Sequence, residues 1–418
     1  MPFAALGLSD VLARPLARLG YTTPTPVQSS SIPIALAGSD LLARAQTGTG
    51  KTAAFGLPTI ERLLVRARRR RMPRAARALV LVPTRELAIQ VQRALETYGA
   101  PVNASVLAIV GGMPMRPQIS ALHNGVDIVV ATPGRLLDHM QQRTIDLSQV
   151  EIVTLDEADR LLDMGFMPSL RRVLKALPGA RQTLLFSATL SADVARLAAD
   201  FTRAPARVDV SGEDAVSATV SHRIQAVAEG AKSDALARLL AAAPSGQALV
   251  FCKTKRRSDR VGDQLARAGI RAAVIHGNKS QGARNRALGD FKAGRVNVLV
   301  ATDIAARGLD IAHLPLVVNY DLPQVPTDYV HRVGRTGRAG RPGHAVSLVG
   351  AADRALLPAI QRLLPVSLQE IAHEGAHAPS VRTHPAGRGT DRHHPSPARG
   401  RDRRSRRAAV SRTFEGPR

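Results

Sequence analysis

Between residues 40 and 350, short apolar runs alternate with longer stretches in which apolar residues recur every three or four positions. The short runs have the length and the Val, Ile and Leu content of strands that are buried on both faces, and the longer stretches have the length of amphipathic helices. Such alternation is typical of βαβ units, whose parallel strands form a sheet covered by helices. The pattern therefore predicts an α/β fold.

The apolar runs fall into two sets, separated by a polar stretch of small residues at 205–222 that has the composition of an interdomain linker. The first set comprises residues 40–45, 78–84, 105–112, 127–133, 151–157 and 183–189. The second set comprises residues 248–254, 272–277, 296–303, 316–323 and 345–350. No sequence repeat relates the two sets, so any similarity between the halves is one of architecture.

These sets predict two domains of ordinary size. After residue 366 the large apolar residues become rare, and such a segment cannot bury enough surface to offset the entropy lost on ordering. We therefore predict a first domain over residues 1–210, a linker over 211–220, a second domain over 221–365, and a disordered basic tail over 366–418.

The formal net charge of +25 indicates a polyanionic partner, either nucleic acid or an anionic membrane surface. Residues 66–77 carry seven Arg and no acid, and residues 381–418 carry eleven Arg against three acids. No stretch reaches the ~18 apolar residues of a membrane-spanning helix, and the N-terminus lacks the pattern of a secretory signal. We therefore expect no membrane partner and a cytoplasmic location.

A single cysteine, Cys252, excludes internal disulfides and a zinc site built from several thiolates. We interpret it as a small buried residue on a strand.

The most informative segment is AQTGTGKT at residues 45–52, which follows a predicted strand and precedes a predicted helix. In such a loop the backbone N–H groups surround phosphates, Lys51 neutralises their charge and the Thr52 hydroxyl can bind Mg²⁺. Position 45 departs from the usual glycine. A glycine-rich turn without a ligand is the alternative, but the strand and helix on either side favour a phosphate-binding loop. The expected ATP-binding residues of this loop are Ala45, Gln46, Thr47, Gly48, Thr49, Gly50, Lys51 and Thr52.

A second motif, LDEAD at residues 155–159, ends another predicted strand. Asp156 would hold Mg²⁺ through water, and Glu157 would orient and deprotonate the attacking water. Acidic clusters are usually solvated turns. Here the preceding strand and the phosphate loop favour catalysis, because ligands of open α/β sheets collect at the carboxyl ends of strands.

The tetrapeptide at 156–159, with AQTGTGKT before it and Ser187-Ala188-Thr189 after it, resembles the DEAD-box helicase family over about residues 3–350. Residues 276–288 and 319–338 are similar to its bacterial RhlE-like branch. The resemblance implies two tandem RecA-like domains, each a mostly parallel sheet with helices on both faces. It also implies RNA-stimulated ATP hydrolysis, coupled to domain closure on single-stranded RNA and to local, non-processive unwinding of short duplexes or remodelling of RNA–protein complexes.

The resemblance also assigns further residues to the ATP site. Gln28 would hydrogen-bond the adenine edge, Phe3 would stack on it, and Asp310 would contact the nucleotide. Arg335 and Arg338 would reach across the cleft as arginine fingers. A guanidinium that arrives only on closure stabilises the charge on the γ-phosphoryl group, which makes hydrolysis depend on RNA.

Two further groups of residues follow from the same resemblance. Ser187, Thr189 and His331 would transmit closure between the domains. Contacts to the RNA backbone position a strand without reading its sequence. The expected RNA-binding residues are Pro83, Thr84, Arg85, Gly112, Thr132, Pro133, Arg135, Gln281, Arg284 and Thr302.

The two basic stretches have alternative interpretations. Residues 66–77 form either a solvated surface loop or an RNA-binding one, whereas the tail is interpreted as an RNA tether rather than a spacer. Ribosome-assembly or RNA-degradation factors are the expected protein partners. Two rival functions stay open: a DNA helicase or translocase of the same superfamily, and a non-catalytic RNA chaperone that only binds nucleotide.

Overall fold

The structure is a computed structural model that describes residues 3–46, 48–65, 73–210, 220–242, 246–306, 311, 314–337, 342–364 and 366–371. We call residues 3–210 the N-terminal half and residues 220–371 the C-terminal half. Each half contains one parallel sheet with helices on both faces, so the predicted α/β fold is confirmed. Both sheets lie within one compact unit.

The N-terminal half is built on a sheet whose strand order is β3-β4-β2-β5-β6-β1-β7. Its strands are β1 Leu41–Arg44, β2 Ala78–Leu81, β3 Val106–Ile109, β4 Ile128–Ala131, β5 Ile152–Leu155, β6 Gln182–Ser187 and β7 Ala206–Asp209. Its helices are α1 Asp10–Arg18, α2 Pro26–Leu36, α3 Lys51–Val65, α4 Arg85–Gly99, α5 Met115–His123, α6 Pro133–Gln141, α7 Ala158–Asp163, α8 Met167–Ala176 and α9 Ala192–Phe201.

Alternate side chains along the strands of this sheet pack into two separate hydrophobic cores. In β2, Ala78 and Val80 pack in one buried cluster with α1 to α4, whereas Leu79 and Leu81 pack in a second cluster with α6 to α9. Because both faces are covered, the strands are continuous apolar runs in the sequence. The carboxyl ends of β1, β2, β5 and β6 meet along one edge, where polar residues follow each strand.

The C-terminal half is built on a sheet whose strand order is β10-β11-β9-β12-β13-β8-β14. Its strands are β8 Val220–Ala226, β9 Ala248–Phe251, β10 Ala272–Ile275, β11 Val298–Ala301, β12 Leu316–Asn319, β13 Gly343–Val349 and β14 Gln369–Ile371. Its helices are α10 Lys232–Ala242, α11 Lys255–Arg267, α12 Gln281–Lys292, α13 Asp303–Ala306, α14 Pro326–Val333 and α15 Leu357–Gln361. Cys252 is buried directly after β9, as expected for a small apolar residue.

The two sheets have the same strand order. Numbered in chain order within each half, both run third, fourth, second, fifth, sixth, first and seventh. The kinship between the halves is therefore one of architecture, as the lack of a sequence repeat led us to expect.

Three of these strands were not predicted. Strand β7 and the start of β8 lie in the stretch 205–222 that we interpreted as linker, and β14 lies in the predicted tail, where it pairs in parallel with β8. The reason is physical. Strands β7 and β8 alternate buried and more exposed residues, and β7 and β14 lie at sheet edges, so none is a continuous apolar run.

Several predicted regions lie outside the described residues: 211–219 of the linker, 66–72 of the Arg-rich stretch and 372–418 of the tail. Among the residues that are described, no helix has both the length and the apolarity needed to cross a bilayer.

Candidate active site and nucleic-acid cleft

The phosphate loop joins β1 to α3, and its backbone requires glycine. Gly48 and Gly50 have φ of 85° and 92°, in the left-handed region where side chains are strained. A Cβ at Gly50 would also lie 2.3 Å from Nε2 of Gln28. At the start of the loop, Ala45 donates its N–H to the carbonyl of Ser187 at 2.9 Å, which ties the loop to β6. Thr47 lies outside the described residues.

Lys51 begins α3 and is only 5% exposed. Its Nζ lies 3.9 Å from Oδ1 of Asp156 and has no hydrogen-bond partner among the described residues. A buried ammonium group in this position needs an anion to satisfy its N–H groups. The site therefore fits a phosphate group of a nucleotide, held beside Lys51 within the glycine loop.

Asp156 follows β5 and is also buried. Its N–H donates to the carbonyl of Leu81, so its position is fixed by the neighbouring strand. Burial raises the pKa of Asp156 to about 6, although the Lys51 ammonium opposes this shift. A buried carboxylate of this kind is stabilised by a cation.

The residues around the phosphate loop fit a Mg²⁺ ion whose ligands are mainly phosphate and water oxygens. The described residues contain no cluster of three or more His, Cys, Asp or Glu side chains that could hold a metal by itself. Mg²⁺ usually takes one or two carboxylates together with substrate phosphates. Asp156 supplies one carboxylate, and Thr52 follows Lys51 in the first turn of α3.

Glu157 has a left-handed backbone, with φ of 52° and ψ of 53°. This conformation is uncommon for a residue with a side chain and clusters at functional sites. The Asp156 carboxylate accepts the N–H of Glu157 at 2.9 Å, and Oε2 of Glu157 accepts a hydrogen bond from Nη1 of Arg160 at 2.7 Å. Burial raises the pKa of Glu157, but Arg160, Lys51 and Arg335 outweigh it, so the pKa is lowered and the carboxylate stays ionised.

Gln28 and Phe3 lie beside the loop, but in different settings. Gln28 donates from Nε2 to the carbonyl of Gly50 and accepts the N–H of Thr25, so both ends of its amide are engaged. Phe3 is 3% exposed and packs edge-on against Tyr21, with ring centroids 6.2 Å apart. Gln28, on α2, thus contacts the phosphate loop. Phe3 lies in the core, and little of its ring is open for stacking.

Asp159 connects the DEAD segment to the Ser-Ala-Thr segment after β6. Its Oδ2 accepts the N–H of Ala188 at 3.1 Å, the N–H of Thr189 at 2.9 Å and the hydroxyl of Thr189 at 3.0 Å. The Ser187 hydroxyl accepts the N–H of Asp159 and donates to the carbonyl of Thr189. Ser187 and Thr189 are therefore held against Asp159 of the acidic segment, and their coupling role stays a prediction.

The C-terminal half presents α14 and the residues after it to this edge. His331 and Arg335 line a small cavity of about 10 Å³ together with Glu157, Asp159, Arg160, Asp163 and Ala188. Arg335 is 7% exposed. Residues from both halves thus surround the acidic segment. Arg338 and Asp310 lie outside the described residues.

A separate cleft of about 340 Å³ joins most of the predicted RNA-binding residues of both halves. Its lining from the N-terminal half includes Pro83, Thr84, Arg85, Thr132 and Arg135, and from the C-terminal half Gln281 and Arg284. Thr302 does not line it, although Ala305 of the same segment does. The cleft also contains Gly111, Lys279, Met164 and Phe166.

Local contacts shape this cleft. A Cβ at Gly112 would lie 1.8 Å from Nη1 of Arg85, and φ of Gly112 is 72°, so glycine lets the arginine lie against the backbone. Arg135 donates to the carbonyl of Met113 at 2.9 Å, which ties the start of α6 to the loop between β3 and α5 that contains Gly112. Thr132 precedes Pro133, the first residue of α6.

Glu86, which no sequence pattern singled out, links the two halves. Its Oε1 accepts from Nη2 of Arg284 at 2.9 Å and from Nε2 of Gln281 at 3.2 Å. Glu86 directly follows Arg85, a predicted RNA-binding residue, and that adjacency was the available signal. Arg160 was also missed, because an arginine after an acidic cluster ordinarily indicates an exposed helix.

Comparisons with known proteins agree with this geometry. A family model described as DEAD/DEAH box helicase matches residues 25–197, and one described as helicase conserved C-terminal domain matches residues 231–340. The DEAD-box ATP-dependent RNA helicase CshA of Streptococcus pneumoniae is 43% identical over 87% of this chain and 68% of the relative. Its namesake from Bacillus subtilis is 43% identical over 86% of this chain and 72% of the relative.

Two solved structures are also similar to this chain. Dbp5 of S. cerevisiae, bound to RNA and ADP BeF3, superposes with a TM-score of 0.76 at 30% identity, covering 88% of this chain and 95% of that chain. A DEAD box protein from Methanococcus jannaschii superposes with a TM-score of 0.51 at 36% identity, covering 89% of this chain and 99% of that chain.

Proposed function

Because the chain belongs to the DEAD-box family of ATP-dependent RNA helicases, we propose that it couples ATP hydrolysis to closure of its two halves on single-stranded RNA. Closure would bend the bound strand into a shape that a duplex cannot adopt, so short duplexes open locally and without processive movement. Phosphate release would then reset the clamp. The subfamily similarity to RhlE-like proteins stays a prediction.

The hydrolytic step uses residues of the N-terminal half. Lys51 holds the β- and γ-phosphates, and the glycine loop surrounds them with backbone N–H groups. Glu157 takes a proton from the attacking water. The water oxygen then bonds to the γ-phosphorus while the bond to the β–γ bridging oxygen breaks, which leaves ADP and phosphate. When bound, Mg²⁺ would neutralise phosphate charge, with Asp156 holding it through water and Thr52 beside it.

RNA dependence would come from the C-terminal half. Arg335 shares a cavity with Glu157, so closure can bring its guanidinium to the γ-phosphoryl oxygens at the moment their charge develops. Arg338 is proposed as the second guanidinium and Asp310 as a nucleotide contact. Ser187, Thr189 and His331 would transmit the movement, and Gln28, which is also bonded to the phosphate loop, would hydrogen-bond adenine. Phe3 would stack on adenine only after leaving its packing against Tyr21.

The RNA would lie in the cleft that contains Arg85, Arg135 and Arg284. Its walls come from both halves, so a strand bound there stabilises closure. Contacts to sugar and phosphate would hold it without reading bases, and 2'-OH contacts would select RNA over DNA. Thr84, Gly112, Thr132, Pro133, Gln281 and Thr302 are proposed as further contacts. The basic tail would act as a salt-sensitive tether that raises the local RNA concentration.

The observation that carries this proposal is the arrangement of Lys51, Asp156 and Glu157 at one edge, faced by Arg335 from the other half. The test is steady-state ATPase activity with single-stranded RNA, single-stranded DNA or no polynucleotide. We expect stimulation by RNA only, and Glu157→Gln should lower ATP turnover to a small residual rate and stop duplex unwinding. Equal stimulation by DNA would favour a DNA translocase, and unwinding or annealing that survives Glu157→Gln would favour a non-catalytic chaperone.

A further inference from the structure

Arg160 is a buried charged residue that the mechanism above does not use. It lies in the first turn of α7, is 6% exposed, and lines the cavity that also contains Glu157 and Arg335. Its Nε and Nη2 groups have no hydrogen-bond partner among the residues that the structure describes. Burying a guanidinium with unsatisfied N–H groups is destabilising, so stability alone does not explain why it is there.

The one hydrogen bond that the Arg160 side chain makes within this part of the chain goes to Glu157. Nη1 donates to Oε2 at 2.7 Å, the short distance of a charge-assisted bond. Of the two carboxylate oxygens, Arg160 bonds to Oε2, while its Nε and Nη2 have no partner among the described residues. The two oxygens of the proposed base are therefore distinguished by Arg160.

The backbone of Glu157 is already fixed, since it adopts a left-handed conformation and its N–H is bonded to the Asp156 carboxylate. What remains undetermined is rotation about the side-chain bonds, which would move the carboxylate away from the phosphate loop. The Arg160 bond removes that freedom. A general base must lie within hydrogen-bond reach of the proton it abstracts, so its orientation affects the rate directly.

We propose that Arg160 is a positioning residue for ATP hydrolysis, which holds Oε2 of Glu157 so that Oε1 accepts the proton of the attacking water. This inference rests on the proposed role of Glu157 as the base. Arg160 itself contacts neither ATP nor the reacting water.

The test uses the full chain with Arg160→Gln and Arg160→Lys, at saturating single-stranded RNA. We expect Arg160→Gln to lower kcat roughly 10- to 100-fold while KM for ATP is unchanged, because the base is misplaced but the phosphate loop is intact. Arg160→Lys should recover most of the loss, since a single bond to one oxygen can be made by an ammonium group. The matched control is Arg196→Gln, which removes an exposed ion pair of the same spacing, to Asp193, and should leave kcat unchanged.

A double-mutant cycle with Glu157→Gln decides whether Arg160 acts through Glu157. Single-turnover rates in that background should not fall further when Arg160→Gln is added. An additional loss of tenfold or more, or an unchanged or increased kcat for Arg160→Gln alone, overturns the inference while leaving the proposed function in place. If Glu157→Gln retains wild-type turnover, both the proposed function and the inference fail.

Folding is checked by binding of a fluorescent ADP analogue and by the melting temperature of each variant. If Arg160→Gln does not fold, Arg160→Lys carries the test alone. Retained kcat in Arg160→Lys supports positioning through the charged bond, and a tenfold or greater loss of kcat with normal ADP binding contradicts it.

Discussion

Replacing Asp159 by Asn should loosen the contact between the DEAD and Ser-Ala-Thr segments. The carboxylate accepts three bonds on Oδ2, from two N–H groups and a hydroxyl, and one on Oδ1 from the N–H of Arg160. An asparagine whose oxygen keeps the three bonds turns its amide nitrogen toward the Arg160 N–H, donor against donor. One unsatisfied buried donor costs about 1–3 kcal/mol, and the three remaining bonds lose their charge assistance. We therefore expect the free energy of opening the contact between these two segments to fall by about 2–4 kcal/mol.

Hydrogen exchange in the full chain, measured on a peptide that contains residues 187–190, reports this loss locally. A change of about 2–4 kcal/mol in opening free energy corresponds to exchange that is faster by roughly 30- to 1,000-fold. The control is Asp193→Asn, at an exposed position on α9, which should change exchange in this peptide by less than twofold. If Asp159→Asn exchanged at the wild-type rate, the carboxylate would not hold the two segments together.

Three further predictions concern the loop, the cleft and pH. Gly50→Ala should reduce ATP affinity by at least tenfold in equilibrium binding, because the left-handed backbone and the amide of Gln28 leave no room for a methyl group. Glu86→Gln should weaken ATP-dependent RNA binding by roughly tenfold, since it removes the charge that Arg284 pairs with, and wild-type affinity would contradict this. Burial lowers the pKa of His222 to about 4, below its ordinary 6.5, so the unfolded chain binds more protons between these values. Stability should therefore fall by up to about 3 kcal/mol as pH decreases from 6.5 to 4, and His222→Leu should show a smaller decrease in thermal melts across that range.

What could be predicted from the sequence was local. The phosphate loop at 45–52 and the acidic segment at 155–159 are each defined by a strand and the residues directly after it, so spacing alone located them. Edge strands β7 and β14 could not be predicted in the same way, because their half-exposed residues do not form an apolar run. Only the structure shows that each lies at an edge of its sheet, at the corresponding position in the two halves.

Contacts between residues that lie far apart in the chain could not be predicted from the sequence. Glu86 and Arg284 are separated by almost two hundred positions, and only the packing of the two halves places them 2.9 Å apart. Arg160 illustrates a different limit. Its spacing from Glu157 is ordinary for a surface ion pair, and its importance depends on burial that no single-sequence pattern reports.

The central claim is that a lysine from one half and an arginine from the other complete a single ATP site, so that hydrolysis requires RNA. The most direct measurement is the ATPase rate of the full chain with Arg335→Ala, with and without saturating single-stranded RNA, alongside ATP binding. The account predicts that the RNA-stimulated rate falls by roughly 10³-fold or more while ATP still binds. An undiminished RNA-stimulated rate in Arg335→Ala would contradict it.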